Sequence, residues 1–353
     1  MSNNIWVHSL DPFLIQFSEG MGIRWYGLAY VTGFICAFFM MKWFSEKKIS
    51  PLTVDQASDF LTSLILGVLI GGRLGYALFY SPQLFLDFRS SVPFWGVLAV
   101  WEGGMASHGG FLGVFAACFW FSWKHKIEFP HLGDLTVVGA MVGIGLGRFA
   151  NFINGELMGK ICAPDFPLAV KFPQDVYRWI GYFPEKLQKL KQPAELLGIR
   201  PDQFNTWADN PGYYKSKFYS MTDQIIAKIQ QGDQAMTDAM GAILEPRHPS
   251  QIYAAFTEAW IPLAILMFIW RKPRKPGIIG SSFILIYACG RIFNEMFRLP
   301  DAHIADLSQQ PLGISRGQFI SLFMILIGVV FMIWSIKRDA KPLGGWAQKS
   351  ENS

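Results

Sequence analysis

Charged side chains are scarce in this sequence. Asp, Glu, Lys and Arg make up 16% of its 353 residues, against about 25% in soluble domains. Apolar residues account for 51%, which excludes an intrinsically disordered chain. Four cysteines are too few to hold a disulfide scaffold of this length. The balance predicts a membrane protein.

Sequence motifs of several common chemistries are also missing. The chain has no HExxH, GxSG or GxGD motif and no phosphate-binding glycine loop with Lys, so the common intramembrane protease chemistries lack support. Cys36, Cys118 and Cys289 lie in apolar runs, and Cys162 stands outside them without a CxxC partner. We expect packing residues rather than disulfides or metal ligands, and neither a metal nor another cofactor.

Long apolar runs, by contrast, are abundant. A run of about 20 apolar residues can cross the roughly 30 Å hydrocarbon core as a helix. Seven runs reach this length: Trp25–Phe44, Phe60–Tyr80, Met105–Trp123, Leu135–Ile153, Ile252–Trp270, Gly277–Phe297 and Phe319–Ile336. The run Val92–Val100 is too short to span and is predicted to lie at the membrane interface. A mean hydropathy of only +0.26 indicates a second, polar population of residues.

The basic residues predict the orientation of these runs. Lys and Arg are concentrated in the loops after the first, third, fifth and seventh runs, and only Arg24, Arg89, Arg298 and Arg316 lie in the short loops on the other side. The positive-inside rule then places the N-terminus on the outer side of the membrane and the C-terminus in the cytoplasm. The net charge of +5 reflects loops that face anionic lipid, and we expect no nucleic-acid partner.

The polar population lies between the fourth and fifth runs. Residues 160–247 carry both charge signs, several prolines and many aromatic residues, which favours a small folded head. Ser220–Ile229 and Asp233–Leu244 are predicted to be helices of this head. We expect an all-α polytopic membrane protein with seven transmembrane helices and a periplasmic head between helices 4 and 5. Its predicted parts are 1–158 (helices 1–4 and the N-terminal periplasmic segment), 159–248 (the head) and 249–353 (helices 5–7 and a cytoplasmic tail).

Glycines recur at every fourth position in three of the runs. The repeats are Gly67, Gly71 and Gly75, then Gly109 and Gly113, then Gly139 and Gly143. This spacing permits helices to cross closely, and tight packing alone is the simplest interpretation.

Five ionisable residues lie deep in the apolar runs: Arg73, Arg148, Glu258, Arg291 and Glu295. Such residues indicate a functional interior or a water-filled cavity, because a charge in hydrocarbon is energetically costly. The alternative is that they pair with each other only to hold helices together.

Arg291 begins a polar face on the sixth run. Arg291, Asn294, Glu295 and Arg298 follow the helical i, i+3, i+4, i+7 spacing, with Tyr287 one turn earlier. Glu295 can pair with Arg291 and hold its guanidinium group in place. This face is unsuited to contact with lipid tails.

A second arginine, Arg148, lies near the end of the fourth run. Asn151 shares its helical face, Asn154-Gly155 is a turn signal where the helix is predicted to break, and Glu156 follows. Two arginines on different helices would suit a phosphate, because planar guanidinium groups donate paired hydrogen bonds to its oxygens.

Two further blocks are candidates for the site. His108 lies among glycines near the start of the third run; its imidazole suits proton transfer near neutral pH, although a structural histidine is equally consistent with the pattern. The block RHPSQIY, 247–253, is where the head re-enters the membrane. Ser250 is predicted to be the N-cap of the next helix.

Six blocks, in this order, resemble the bacterial prolipoprotein diacylglyceryl transferases. They are RWYGLAY (24–30), GGRLGYALFY (71–80), WEGGMASHGG (101–110), GRFANFINGELMG (147–159), RHPSQIY (247–253) and RIFNEMFRLPDA (291–302). The 147–159 block is similar to the signature stretch of that family. The head between Gly159 and His248 is longer than the resemblance leads us to expect.

The resemblance implies an enzyme of the bacterial inner membrane with its active site toward the periplasm. It would transfer the diacylglyceryl group of phosphatidylglycerol to the lipobox cysteine thiol of a prolipoprotein signal peptide, forming a thioether and releasing glycerol phosphate. Arg148 and Arg291 would hold the phosphate, and His108 would be the candidate base. The remaining substrate-binding residues would be Tyr26, Asn151, Glu156, Gly159, Tyr287 and Glu295.

Two other classes of function remain open from the residues alone. A transporter or lipid flippase also carries buried ionisable residues and broken helices, but it often has an inverted repeat, and this sequence has no internal repeat. A membrane-anchored scaffold would leave the arginines in the apolar runs unexplained.

Overall fold

The computed structural model describes residues 5–18, 21–100, 103–299 and 314–347. Trp101, Glu102 and residues 300–302 of the family-like blocks lie outside the described residues. The chain divides into two compact units. Unit 1 comprises Met1–Val31, Ile144–Pro262 and Ile286–Ile325, and unit 2 comprises Thr32–Gly143, Leu263–Leu285 and Leu326–Ser353.

Helices dominate the described chain, which begins with a short hairpin. Strands β1 (Phe13–Ser18) and β2 (Met21–Arg24) pair antiparallel, with Phe13 opposite Arg24. The chain is therefore mostly rather than entirely helical. The first four long helices are α1 (Trp25–Glu46), α2 (Val54–Phe79), α3 (Ser107–His125) and α4 (Phe129–Ile153).

The shorter helices of the polar region follow. They are α5 (Asp175–Tyr182), α6 (Lys191–Leu196), α7 (Pro201–Asp209), α8 (Lys215–Gln230) and α9 (Gln234–Ile243), with a 3₁₀ helix at Pro184–Leu190. Both helices predicted here are confirmed as α8 and α9. The Asp233 carboxylate caps α9 by accepting from the Met236 N–H at 3.0 Å, because the first N–H groups of a helix lack internal partners.

Four helical segments complete the chain. Helix α10 (Ser250–Ala255) continues through one π-helical turn, Phe256–Trp260, into α11 (Ile261–Ile269). Helices α12 (Ile278–Glu295) and α13 (Arg316–Lys337) follow. Helices thus occur at all seven positions predicted to span the membrane.

Five of these helical segments are long and apolar enough to cross a membrane: Trp25–Glu46, Val54–Phe79, Phe129–Ile153, Ser250–Ile269 and Arg316–Lys337. This supports a polytopic membrane protein. Helices α3 and α12 do not satisfy the same test within the described residues, so seven spans, their orientation and the three-part domain division stay predictions.

The polar region of unit 1 has its own hydrophobic core. Side chains from α5 to α9 and from the N-terminal Val7 bury one another; they include Trp179, Phe204, Phe218, Met221 and Met240. Burial of such side chains contributes about 1.5–3 kcal/mol each. The prediction of a folded region rather than a charged tail between α4 and α10 is confirmed.

The glycine repeats of unit 2 mark the crossing of α2 and α3. A Cβ at Gly67 would lie 2.5 Å from the carbonyl oxygen of Gly113, and one at Gly75 would lie 2.7 Å from Cα of Gly109. Neither distance leaves room for a side chain. Tight packing is therefore confirmed for the glycines of α2 and α3, Gly109 beside His108 included.

Arg73 of α2 donates its hydrogen bonds to backbone carbonyl groups. Its Nε donates to the carbonyl oxygen of Val97 and its Nη2 to that of Gly96, both at 2.7 Å, and its Nη1 to those of Gly103 and Gly104. The side chain is buried. Arg73 therefore holds the short segment after α2 in place. The predicted interfacial piece Val92–Val100 contains only a 3₁₀ turn, Gly96–Leu98.

Candidate functional site

Two arginines of unit 1 meet at one buried carboxylate. Arg148 on α4 donates from Nη2 to Oε2 of Glu258 at 2.7 Å. Arg291 on α12 lies with Nη1 3.5 Å from Oε1 of the same residue. Glu258 is fully buried, whereas the side chains of Arg148 and Arg291 keep 24% and 16% exposure. The structure therefore brings Arg148 and Arg291 together, which the sequence alone could not show.

The local backbone explains this convergence. Glu258 lies in the π-helical turn Phe256–Trp260, and single π turns occur frequently at functional sites. Gly290, immediately before Arg291, packs against this turn so closely that a Cβ would overlap the carbonyl oxygen of Thr257. A glycine is therefore required where α12 brings Arg291 to Glu258.

The polar face predicted on α12 is confirmed as far as Glu295, whereas Arg298 lies beyond the end of the helix. Nη1 of Arg291 lies 3.0 Å from Oε2 of Glu295, one turn along the helix. Asn294 donates from Nδ2 to Oε1 of Glu258 at 3.0 Å, and Ser315 donates from Oγ to Oε1 of Glu295 at 3.0 Å. Tyr287 lies one turn before Arg291 on the same helix. This face carries polar groups that hold the arginines in fixed positions.

A second polar cluster lies at the end of α4. Tyr26 donates from its hydroxyl to Oε2 of Glu156 at 2.8 Å, and Asn154 donates to Oε1 of the same carboxylate at 3.1 Å. Asn151 donates from Nδ2 to the Tyr26 hydroxyl. The structure therefore brings together three of the predicted substrate-binding residues.

The predicted break of α4 is also confirmed. The helix ends at Ile153, and Gly155 (φ 66°) and Leu157 (φ 52°) adopt the left-handed conformation. This exposes backbone carbonyl groups that need donors. Gln251 donates from Nε2 to the Glu156 carbonyl at 2.5 Å, and Ser250 from Oγ to the Leu157 carbonyl at 2.9 Å.

Ser250 therefore has a different role from the one predicted. The N-cap position of α10 is Pro249, without a side-chain cap, because the Ser250 hydroxyl is used to hold the loop after α4. The RHPSQIY block supports the broken segment rather than only starting a helix.

Gly159 lies where three backbone segments cross. Its N–H donates to the carbonyl oxygen of His248 at 3.0 Å, and it forms a bridge with Arg298. A Cβ at Gly159 would lie 2.8 Å from the Cβ of His248 and 2.9 Å from the carbonyl oxygen of Phe297. Close backbone packing accounts for this glycine, and contact with substrate stays a proposal.

A buried ion pair of the polar region stabilises the place where these three backbone segments cross. Nη2 of Arg247 lies 2.6 Å from Oδ2 of Asp175, and Nη1 of Arg247 donates to the Gly159 carbonyl oxygen at 3.2 Å. Both charged side chains are almost fully buried. Removing one member of such a pair leaves an uncompensated charge, which typically costs about 3–5 kcal/mol.

A small polar cavity joins the arginine cluster to the end of α4. Its lining residues are Arg148, Asn151, Leu157, Ser250, Gln251, Ala254, Arg291, Asn294 and Arg298. Guanidinium groups and side-chain amides are hydrogen-bond donors, so the cavity is suited to an anion with several acceptor oxygens.

His108 belongs to unit 2, whereas all the other predicted site residues belong to unit 1. It lies in the first turn of α3, and its side chain is exposed. Its part in the site stays a prediction. Within the described ranges, no group of three His, Cys, Asp or Glu side chains is placed to hold a metal ion.

Glu258 is the central residue that sequence reasoning left out of the site. The sequence did contain a signal, since Glu258 is an acidic residue in a long apolar run. Asn294 and Gln251 gave weaker signals, because neutral amides are common at helix packing surfaces.

The long apolar helices define a polytopic membrane protein, and two of its arginines share a buried carboxylate in unit 1. Comparisons with known proteins identify the family within this class. Residues 12–334 match the family model described as prolipoprotein diacylglyceryl transferase, and the chain belongs to this family.

Several curated relatives are similar over nearly the whole chain. A phosphatidylglycerol–prolipoprotein diacylglyceryl transferase of Bdellovibrio bacteriovorus is 45% identical over 96% of this chain and 97% of its own length. Proteins of the same name from Proteus mirabilis and Gluconobacter oxydans are 36% and 32% identical, over 94% and 97% of this chain and 93% and 98% of their own lengths. The resemblance inferred from the six blocks is confirmed.

Proposed function

We propose that the chain transfers the diacylglyceryl group of phosphatidylglycerol to the lipobox cysteine of a prolipoprotein, and that the arginine cluster of unit 1 is where the lipid phosphate binds. The transferase activity is the reaction that the family name denotes. The observation that carries the site assignment is the convergence of Arg148 and Arg291, from two helices, on the single buried carboxylate of Glu258.

The reaction makes two demands on the protein. The cysteine sulfur attacks the diacylglyceryl carbon that bears the phosphate oxygen; a C–S bond forms, the C–O bond breaks, and glycerol phosphate leaves with the bonding electrons. Negative charge therefore develops on a phosphate oxygen in the transition state. The thiol must also lose its proton, since a free cysteine with a pKa of about 8.5 is mostly protonated at neutral pH.

Arg148 and Arg291 are proposed to stabilise the negative charge that develops on the phosphate oxygen. A guanidinium group has five N–H donors in a fixed plane, and the observed carboxylate contacts use Nη2 of Arg148 and Nη1 of Arg291. Donors that are held in place before the reaction stabilise developing charge without a reorganisation cost. Tyr26, Asn151, Glu156, Gly159, Tyr287 and Glu295 are proposed to complete the substrate site.

His108 is proposed to accept the proton that the cysteine thiol must lose. An imidazole titrates near neutral pH, and general base catalysis typically contributes about 10²–10⁴ in rate. His108→Gln should lower kcat by about 10²-fold or more and remove the acidic limb of its pH profile. An unchanged rate and profile would remove His108 from the mechanism.

The protein is proposed to act in the bacterial inner membrane. All seven helices would span it, with the N-terminus and the polar region 159–248 in the periplasm and the C-terminus in the cytoplasm. The distribution of Lys and Arg supports this orientation. Cysteines introduced at exposed positions of α8 should react with a membrane-impermeant maleimide in intact spheroplasts, and labelling only after lysis would reverse the orientation.

The transfer itself is tested by mass spectrometry. The purified chain is incubated with phosphatidylglycerol and a lipobox peptide, and the expected product is a peptide with one diacylglyceryl group in thioether linkage on its cysteine. A Cys→Ser peptide is the control and should remain unmodified. Movement of lipid between leaflets without this adduct would instead favour a flippase.

A further inference from the structure

Two side-chain amides beside the arginines each have a fixed orientation. Asn294 on α12 donates from Nδ2 to Oε1 of Glu258 at 3.0 Å, and Gln251 on α10 donates from Nε2 to the Glu156 carbonyl oxygen at 2.5 Å. A carboxylate and a carbonyl oxygen only accept hydrogen bonds, so the nitrogen of each amide must face its partner. This also fixes the position of each amide oxygen.

These two amide oxygens have no hydrogen-bond partner within the described residues: Oδ1 of Asn294 and Oε1 of Gln251. Both residues are only 2% exposed. Most buried polar atoms in proteins are hydrogen-bonded, because an unsatisfied atom loses its hydration without replacement. The two acceptors come from different helices and line the same cavity, which indicates that this cavity receives a hydrogen-bond donor.

The cavity that both amides line is narrow, and Arg148 and Arg291 line it too. Its volume is about 220 Å³ with its open mouth included, and only about 10 Å³ of this is open to the centre of a water-sized molecule. About 10–15 Å³ of such space corresponds to one water molecule. The narrow part is therefore suited to groups of the size of a hydroxyl.

Phosphatidylglycerol has few hydrogen-bond donors. Its ionised phosphodiester and its acyl esters carry only acceptor oxygens, so the hydroxyl groups of the head glycerol are its only donors. These hydroxyls lie within a few bonds of the phosphate, and a phosphate held by Arg148 and Arg291 would bring them to the cavity that the amides line. A neutral amide oxygen is a suitable acceptor for a neutral hydroxyl.

We propose that the amide oxygens of Asn294 and Gln251 accept hydrogen bonds from the head-glycerol hydroxyls of phosphatidylglycerol, and that they thereby select this lipid among anionic phospholipids. The inference rests on the proposed phosphate-binding roles of Arg148 and Arg291. The arginines bind the phosphodiester of any headgroup, whereas the amides distinguish a headgroup with hydroxyls from one without them. A site built to bond a hydroxyl rejects an analogue that lacks it, because its own buried polar groups then stay unpaired.

A competition between two lipids tests this inference on the full chain. Phosphatidylglycerol and phosphatidylpropanol are both monoanionic phosphodiesters, but the propyl headgroup has no hydroxyl. The two lipids are mixed in equal amounts with acyl chains of different lengths, so that the mass of the adduct on a lipobox peptide shows which lipid reacted. Exchanging the acyl chains between the lipids controls for chain preference. At low conversion the adduct ratio equals the ratio of the two kcat/KM values, whatever fraction of the enzyme is folded.

The expected result is a preference for phosphatidylglycerol that depends on both amides. The wild-type protein should favour this lipid by about tenfold or more. Asn294→Leu and Gln251→Met remove an amide at nearly constant size, and each should lower the preference by about threefold or more. Gln174→Met is the matched control, since Oε1 of Gln174 is also buried and without a partner in the described chain, but the residue does not line the cavity. Its preference should equal that of the wild type.

The outcomes separate this inference from the proposed function. A wild-type preference near one overturns the inference without any variant. Equal preferences in the wild type, Asn294→Leu and Gln251→Met also overturn it, because amides that only hold the backbone or bond the peptide change the rates with both lipids by the same factor. If the wild-type protein forms no adduct from either lipid, the proposed transferase activity is wrong instead.

Discussion

Arg73 in unit 2 and Arg148 in unit 1 look alike in the sequence but have different partners in the structure. Each is a single arginine in an apolar run that also contains several glycines. Arg73 is buried against backbone carbonyl groups. Arg148 shares one carboxylate with Arg291 and keeps 24% of its side chain exposed. These differences in partner and exposure are the reason why we propose a structural role for Arg73 and a ligand-binding role for Arg148.

The largest expected effect comes from substituting Lys for each arginine in turn. Lys keeps the charge but loses the planar fork that bonds two phosphate oxygens at once. Arg148→Lys should lower kcat/KM for thioether formation by about 10²–10³-fold, since removal of one such donor typically costs this much. Arg73→Lys should instead lower the thermal unfolding temperature in detergent, because its donors can no longer reach all their carbonyl partners, while the folded fraction keeps kcat within a few-fold of wild type.

The predictions for Arg73→Lys and Arg148→Lys can each be contradicted independently of the other. Loss of kcat in folded Arg73→Lys protein would bring Arg73 into the catalytic site. A wild-type rate in Arg148→Lys would mean that a point charge is enough at this position and that paired hydrogen bonds to phosphate are not required.

A smaller effect is expected at His8, a buried histidine of the N-terminal segment. Its ring packs against Trp6, Phe152 and Phe172, and burial lowers the pKa of the imidazole from 6.5 to about 4. The folded state therefore favours the neutral ring. Its contribution to stability is fully present above pH 6.5 and is lost progressively as the pH falls from 6.5 toward 4.

This pH dependence is measurable as local opening of the N-terminal segment. Hydrogen exchange at residues 6–8, corrected for the intrinsic pH dependence of exchange, should become faster as the pH is lowered from 6.5 to 4. The corresponding decrease in the free energy of local opening is on the order of 2 kcal/mol. His8→Gln should remove the extra acceleration. If the wild-type protein and His8→Gln respond equally to pH, His8 is not the titrating group.

Features set by the helical repeat could be predicted from the sequence. The spacing of Arg291 and Glu295 places them one turn apart on any helix, and their ion pair follows. The turn signal at Asn154-Gly155 likewise predicted the end of α4, because a glycine can adopt the left-handed conformation that such a break requires.

Features that depend on tertiary contacts could not be predicted in this way. Whether Glu258 reaches Arg148, Arg291 or Arg73 depends on how each helix is rotated and on the π-helical turn, and neither has a signal in the spacing of residues. Ser250 shows the same limit, since its hydroxyl fits an N-cap by sequence but bonds the Leu157 carbonyl in the fold. The role of a residue is thus predicted incorrectly from its local sequence pattern when its side chain bonds a distant segment of the chain.

The most direct test of the central claim is the affinity of the protein for phosphatidylglycerol when one guanidinium group is removed. Binding of a short-chain phosphatidylglycerol to wild-type protein, Arg291→Gln and Arg73→Gln can be measured by isothermal titration calorimetry in detergent. If Arg148 and Arg291 hold the phosphate, Arg291→Gln should weaken binding by about 10–100-fold, since a hydrogen bond to a charged group contributes about 1.5–3 kcal/mol. Folded Arg73→Gln should bind like the wild type. Equal affinities of wild-type protein and Arg291→Gln would contradict the account.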